Sequence, residues 1–156
     1  MCKKEFEKMD KKEFEKMFNK GFEIKEWDDI YKAIGKIIES AQEWESEYKK
    51  LAVLLDIKIY NVNTSSLNRI NNNLFKENKL SQKDYDNLKQ VINDRNYINH
   101  EFFLKYRHDS KVYDEIGHEL SHILFLIYEA SDIISNKIDE IKGGIIKRPS
   151  YFDMKD

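Results

Sequence analysis

Residues 26–56 read EWDDIYKAIGKIIESAQEWESEYKKLAVLLD, and this stretch decides the fold class. Its large apolar side chains recur at intervals of three and four residues, as they do along one face of an α-helix. The stripe consists of Trp27, Ile30, Tyr31, Ile34, Ile37, Ile38, Ala41, Trp44, Tyr48, Leu51, Ala52 and Leu55. The spacing predicts one long helix that packs this face inward.

Further helices are predicted downstream of this segment. A short helix begins at Ser66, and a longer one begins at Ser81, where Asp84 three positions on is typical of a helix start. The last helix runs from about 111 to 142, and Gly143-Gly144 ends it. Its apolar stripe consists of Val112, Ile116, Leu120, Ile123, Ile127, Ala130, Ile134, Ile138 and Ile141. The pattern predicts an all-α, up-and-down bundle of about four or five helices.

Composition supports the same fold class. The chain has 156 residues, 40% of them hydrophobic, which is enough for one domain with a core and too few for two. One Pro and five Gly leave few places for tight turns, which argues against an all-β fold. We expect a charged helical extension over 1–22, the bundle over 23–145 and an extended tail over 146–156.

The N-terminal extension contains a tandem duplication. The run from Lys3 to Met9 recurs from Lys11 to Met17 with a period of eight residues. Eight residues rotate a helix by about 800°, so the two copies do not form one straight stripe. A local duplication explains the pattern without any functional role.

Cysteine use and hydropathy indicate the cellular compartment. Cys2 is the only cysteine, and no apolar run approaches the length of a membrane span. The first residues also lack the apolar core of a secretion signal. We therefore expect a cytoplasmic protein with no membrane partner.

Charge is distributed unevenly along the chain. The net charge is −2, so no global basic field predicts nucleic-acid binding. Residues 57–110 nevertheless carry nine Lys/Arg against six Asp/Glu, whereas residues 1–56 carry twelve against fourteen. A solvated surface explains such an excess as well as an RNA partner does.

The most informative polar residues lie in the most basic part of the chain, within the helix that starts at Ser81. Projected on a helix, Arg95 and Asn99 fall in the middle of an apolar face, and Asn96 and His100 line its edge. The face itself consists of Tyr85, Leu88, Val91, Ile92, Ile98, Phe102, Phe103 and Tyr106. A buried guanidinium is costly without a polar partner. That partner is a carboxylate or carbonyl of the same fold, a second subunit or a ligand phosphate.

Residues 95–100 read RNYINH, which resembles the R-x4-6-H motif of HEPN-domain proteins, a family of small helical domains that includes many ribonucleases. Asn96 fills the polar position that the family favours after its arginine. The resemblance implies RNA cleavage without metal or cofactor, in which the ribose 2′-OH attacks the adjacent phosphate. His100 would be the general acid or base, Arg95 would stabilise charge on the phosphorane oxygens, and Asn96 would orient His100 or contact the phosphate. Asn99 and Tyr97 are candidate supporting residues.

The resemblance also implies partners. One imidazole cannot easily accept a proton from the nucleophile and deliver another to the leaving group, so two motifs across a homodimer make chemical sense. A toxin or phage-defence setting, with RNA as substrate and an antitoxin protein as partner, is a further expectation. The alternative is a non-catalytic relative, in which Arg95 and His100 hold a dimer or bind RNA or nucleotide without cutting it.

A second motif lies in the last helix. Residues 118–122 read HELSH, which resembles the zinc-binding helix of metalloproteases, with His118 and His122 as ligands and Glu119 as the base. Both histidines project about 130° or more from the centre of the apolar stripe, so we expect them to face solvent. No third-ligand motif follows, although Glu129 and Glu140 are candidates. A zinc protease is therefore the weaker alternative, no metal is expected, and His108 is predicted to be a loop residue.

Overall fold

The computed structural model describes residues 22–107 and 112–143, and within these ranges the chain is helical without any β-strand. The elements are α1 (Trp27–Leu54), a 3₁₀ helix (Val62–Thr64), α2 (Leu67–Lys76), α3 (Gln82–His100), α4 (Phe102–Lys105) and α5 (Tyr113–Ile141). Five α-helices in the described ranges confirm the predicted all-α bundle of about four or five helices. None of them is long and apolar enough to cross a membrane.

The three long helices form the body of the bundle. α1 and α5 run parallel, as contacts at both ends of the pair show. Near their starts, the N–H of Phe22 donates to the carbonyl of Gly117 at 3.2 Å. Near their ends, Lys142 lies beside Leu54. α3 is antiparallel to both. Its first turn pairs with the end of α5 through Asp84 and Lys137, at 3.1 Å. The C-terminal half of α3 therefore faces the middle of α1.

Local signals place the helix boundaries where the sequence predicts them. The Ser66 hydroxyl accepts the backbone N–H of Arg69 at 3.2 Å, and the Ser81 hydroxyl accepts that of Asp84 at 3.1 Å. Each bond satisfies one of the amides that a helix start leaves without a partner. α5 ends before Gly143, whose φ of 75° is a conformation that glycine adopts without strain. The Gly143 half of the predicted stop is therefore confirmed.

The core lies between the three long helices. α1 contributes its two largest buried aromatic side chains, Trp44 and Tyr48, and the latter donates a hydrogen bond to the Asn71 side chain of α2. Burial raises the pKa of Tyr48 above its ordinary range. The other large side chains that are fully enclosed include Phe102, Ile30, Ile37, Leu51, Ile70, Leu74, Leu88, Ile92, Ile116 and Leu120. The stripes predicted from the sequence thus provide most of this core.

Some apolar residues predicted to face inward are exposed. Tyr31 is 49% exposed and Ile38 is 36% exposed on α1, and Ile141 is exposed at the end of α5. The predicted stripes are broad, and the neighbouring helices cover only part of their width. The side chains along one edge therefore remain on the surface.

The helix that carries the motif ends before the last residues of its predicted apolar face, which extends to Tyr106. α3 ends at His100, and the backbone leaves helical geometry at Glu101, with φ −124° and ψ −29°, before α4 begins. This break changes the direction of the following side chains. Phe102 and Tyr106 are buried as expected, but Phe103 is 41% exposed, so its predicted place on the inward face is wrong.

Several expectations concern residues outside the described ranges. They are the N-terminal extension with its duplication, the loop position of His108, the role of Gly144 and the extended tail over 146–156.

Candidate functional site

The partner of Arg95 is a carboxylate of the same chain. Arg95 Nη2 lies 2.8 Å from Glu45 Oε2, and the other oxygen of Glu45 lies 3.2 Å from Lys49 Nζ. The side chains of Arg95 and Glu45 keep 29% and 21% of their exposure. The structure therefore answers the question that the sequence left open, because α1 supplies the counter-charge to the arginine on α3.

This ion pair leaves positive charge at the surface. Two cations, Arg95 and Lys49, share the single carboxylate of Glu45, so the three groups together carry +1. A second Arg95 nitrogen, Nη1, is 3.5 Å from the Asn96 side-chain oxygen, which is at the limit of a hydrogen bond. A guanidinium has five N–H donors, so donors remain for a ligand.

A small recess lies beside Arg95, between α1 and α3. It has a volume of about 60 Å³ and is lined by Ile37, Ile38, Ala41, Gln42, Arg95, Ile98 and Asn99. Typical small-molecule pockets have about 300 Å³ or more, so this recess fits a few water molecules and not a nucleobase. A ligand that reaches Arg95 would therefore contact it from the surface.

The structure brings only part of the predicted site together. Arg95 and Asn99 line the recess, and the Asn96 side chain lies next to Arg95. The helical projection predicted Asn99 in the middle of the apolar face, but Asn99 is exposed. Arg95 donates to Glu45 and Asn96, and none of its bonds within the described chain reaches His100. His100 is exposed at the last residue of α3, about 7.5 Å along the helix axis from Arg95.

Tyr97, a predicted supporting residue, belongs to a different cluster. It projects toward α5, where burial and the nearby Glu119 carboxylate raise the pKa of its hydroxyl above the ordinary range. Tyr106 donates a hydrogen bond to the same carboxylate, and Lys105 Nζ lies 3.5 Å from it. Burial and Glu119 also raise the pKa of Tyr106 to about 12. The Tyr97 side chain is thus on the opposite side of α3 from Arg95.

The same cluster bears on the zinc alternative. His118 and His122 are exposed, as predicted, and the carboxylate of Glu119 is occupied by contacts with Tyr106 and Lys105. Across 22–107 and 112–143, no three His, Cys, Asp or Glu side chains are close enough to hold a metal ion. A catalytic zinc needs three protein ligands, and the described residues bring no third ligand to His118 and His122.

Asp94, next to Arg95 in the chain, faces the same side as Tyr97. One carboxylate oxygen accepts a hydrogen bond from Gln90 at 2.9 Å, while the other is buried without a hydrogen-bond partner in the described part of the chain. Burial raises the pKa of Asp94, an effect that Gln90 and His122 oppose and Glu119 reinforces. The ionised form of the Asp94 carboxylate is therefore less favourable in the folded protein than in water.

Sequence reasoning missed Glu45 and Lys49. Glu45 lies between the buried aromatic residues Trp44 and Tyr48 and precedes Lys49 by one helical turn, which marks it as an edge residue of α1. No local pattern connects it to an arginine 50 positions later. Only the packing of α3 against α1 brings the two charges together.

Comparisons with known proteins add no relative. No family model matches the chain, and searches of curated proteins and of solved structures find no similar protein. Any function must therefore be argued from the side chains described above.

Proposed function

We propose that this protein is a metal-independent endoribonuclease of the HEPN type, with Arg95, Asn96 and His100 as its site. The observation that carries the proposal is a partly exposed arginine, held by Glu45 beside a surface recess, on the same helix as an exposed histidine. Phosphoryl transfer needs positioned cations and a proton-transfer group, and these side chains supply both.

In the proposed reaction, the ribose 2′-OH attacks the adjacent phosphorus and the bond to the 5′ oxygen breaks. The products are a 2′,3′-cyclic phosphate and a 5′-hydroxyl. His100 accepts the proton of the 2′-OH or donates one to the leaving oxygen, since an imidazole can act as a general base or a general acid. Arg95 stabilises the charge that builds on the phosphorane oxygens, and Asn96 contacts the phosphate.

Glu45 has a defined part in this proposal. It holds the guanidinium in place and leaves a charge of +1 on the group of Arg95, Glu45 and Lys49, which matches the −1 of a phosphodiester. A positioned guanidinium loses less conformational entropy when it meets the phosphate than a mobile one does. Glu45 is therefore a positioning residue for Arg95.

The proposal includes a homodimer. A single His100 performs one of the two proton transfers, so a second copy supplies the other imidazole across a shared, solvent-accessible cleft. The cytoplasmic toxin or phage-defence setting and the antitoxin partner rest on the motif resemblance and are part of the same proposal.

One specific observation favours a second candidate, a non-catalytic module that binds RNA or nucleotide or forms a dimer. Arg95 already has an internal counter-charge in Glu45, so a structural role accounts for its presence on α3 without any substrate. Such a module would bind without cutting.

Incubation of mixed RNA with the purified protein in EDTA distinguishes the two functions. The nuclease proposal predicts cutting by the wild type and a loss of about 10²-fold or more in His100→Ala. His118→Ala is the matched control, since it removes an exposed histidine of α5 outside the proposed site. Equal cutting by wild type and His100→Ala would remove His100 from the mechanism, and binding without any cutting would favour the second candidate.

A further inference from the structure

One face of α1 carries exposed and partly buried side chains in an unusual order. At about 100° per residue, Tyr31, Ile38, Gln42, Glu45, Lys49 and Val53 fall within about 80° of one another around the helix. From the first of these residues to the last, the face extends about 33 Å along the helix axis. We call this face the α1 track.

The start of the track is aromatic. The ring of Tyr31 lies 5.8 Å from the ring of Phe103 on α4, with an angle of 33° between their planes, and both side chains are exposed. Exposed aromatic rings are the surfaces on which single-stranded bases stack. A hydrophobic partner would also fit these two rings, but it would not account for the charges that follow along the same face.

The middle of the track is the candidate site. Ile38 and Gln42 line the recess that also contains Arg95 and Asn99. The next residue on the face is Glu45, which binds Arg95 on one oxygen and Lys49 on the other. A strand that lies on the track would therefore pass directly over the guanidinium.

The end of the track is basic. A groove of about 460 Å³ is lined by Ser46, Lys49, Lys50, Val53, Leu54, Asn63 and Lys142. Three ammonium groups line the groove. Its lining also includes the apolar side chains of Val53 and Leu54, which are both exposed. Lys49 is held in position because it also donates to the backbone carbonyl of Asn63 at 3.0 Å.

Some acidic residues of α1 lie away from this face, although Glu45 is on it and Asp28 projects about 60° from its centre. Glu39 and Glu43 project about 80° and 120° from the centre of the track, so they do not face a strand bound there. Glu47 projects about 160° from it, but its carboxylate reaches the groove through its pair with Lys50.

The track and its groove contain four cations, which are Arg95, Lys49, Lys50 and Lys142. They contain two carboxylates, Glu45 and the Glu47 that pairs with Lys50 at 2.8 Å. Local charge on the track is positive although the whole chain is acidic.

We propose that the α1 track binds a single-stranded nucleic acid, with bases against Tyr31 and Phe103 and backbone phosphates at Arg95 and in the lysine groove. This inference rests on the proposed function, because it assigns the path of the strand that the Arg95 site would cut. The aromatic surface, the cation at the recess and the basic groove occur in one line, as in other single-strand binding surfaces.

The test measures binding separately from cutting. The probe is a fluorescent single-stranded DNA of about 12 nucleotides, which lacks the 2′-OH and therefore cannot react by the proposed chemistry. Fluorescence anisotropy at low ionic strength is expected to give binding that weakens as salt rises. Lys50→Glu combined with Lys142→Glu is expected to weaken binding about tenfold or more and to reduce the salt dependence, since each phosphate contact contributes about 0.7 to the slope.

Two further variants complete the experiment. Tyr31→Ala is expected to weaken binding by about fivefold or more through lost stacking. Lys36→Glu is the matched control, because Lys36 lies on α1 about 140° from the track and should leave binding unchanged. Urea unfolding of each variant verifies that it is folded. If the double variant Lys50→Glu with Lys142→Glu is unfolded, the double variant Lys50→Gln with Lys142→Gln takes its place.

Three outcomes overturn the inference. One is the absence of DNA binding, and another is equal weakening by Lys36→Glu. The third is a change of oligomeric state in Tyr31→Ala without a change in binding, which would assign the face to a second copy of the chain. If the wild type cuts RNA but the track variants bind DNA as the wild type does, the track is rejected and the nuclease proposal stands. If the track variants weaken DNA binding but the wild type does not cut RNA, the nuclease proposal is rejected and the track stands.

Discussion

Removing the counter-charge of Arg95 should destabilise the fold by a measurable amount. In Glu45→Gln, the guanidinium loses a 2.8 Å ion pair in a half-buried position, and Lys49 loses its 3.2 Å partner. Exposed ion pairs contribute about 0–1 kcal/mol, and breaking a fully buried one costs about 3–5 kcal/mol. With side-chain exposures of 29% and 21%, we expect a loss of about 1–2 kcal/mol.

A double-mutant cycle isolates the pair from other effects. Arg95→Met keeps much of the apolar stem and removes the charge, and its combination with Glu45→Gln gives the coupling energy. Urea unfolding followed by circular dichroism measures each free energy of unfolding. We expect a coupling of about 1 kcal/mol or more with an unchanged dependence on urea. Additive effects within about 0.3 kcal/mol would refute the view that Glu45 holds Arg95.

Three other substitutions test the packing. Burial raises the pKa of Asp94, so its ionisation opposes folding: stability is highest below the ordinary pKa and falls as pH rises through the folded pKa. Asp94→Asn should therefore stabilise the protein relative to wild type at pH 7 more than at pH 4 in urea unfolding, and an equal effect at both would contradict this. Gly35→Ala should raise stability by about 0.5–1 kcal/mol in a thermal melt, since nothing lies within 4 Å of the added methyl group on α1; a lower melting temperature would show an unseen contact. Gly117→Ala should lose about 1–3 kcal/mol, because its Cβ would lie 2.4 Å from the carbonyl oxygen of Phe22, and an unchanged melting temperature would argue against that contact.

Much of the fold is predictable from the sequence because it depends on local signals. The three- and four-residue spacing predicts α1, and the caps at Ser66 and Ser81 predict where α2 and α3 begin. The end of α3 is different. No glycine or proline marks the break at Glu101 in the sequence. The break accompanies the burial of Phe102 and Tyr106 in the core. Burial in the core depends on tertiary packing, which a helical projection does not include.

The candidate site was predictable only in part for the same reason. The projection indicated correctly that Arg95 needs a polar partner, because the cost of a buried charge follows from the residue alone. The identity of that partner depends on how α3 packs against α1, and so does the exposure of Asn99. Tyr97 is adjacent to the motif in sequence but faces α5, so chain proximity did not imply a shared site.

The most direct test of the central claim is the chemistry of the cut. An RNA oligonucleotide is incubated with the protein in EDTA, beside a copy that carries a single 2′-deoxy substitution at the cleaved nucleotide. The account predicts fragments that end in a 2′,3′-cyclic phosphate from the first substrate and no cutting at the substituted position of the second. Cutting that continues at the 2′-deoxy position, or that stops when EDTA removes metal ions, would contradict it.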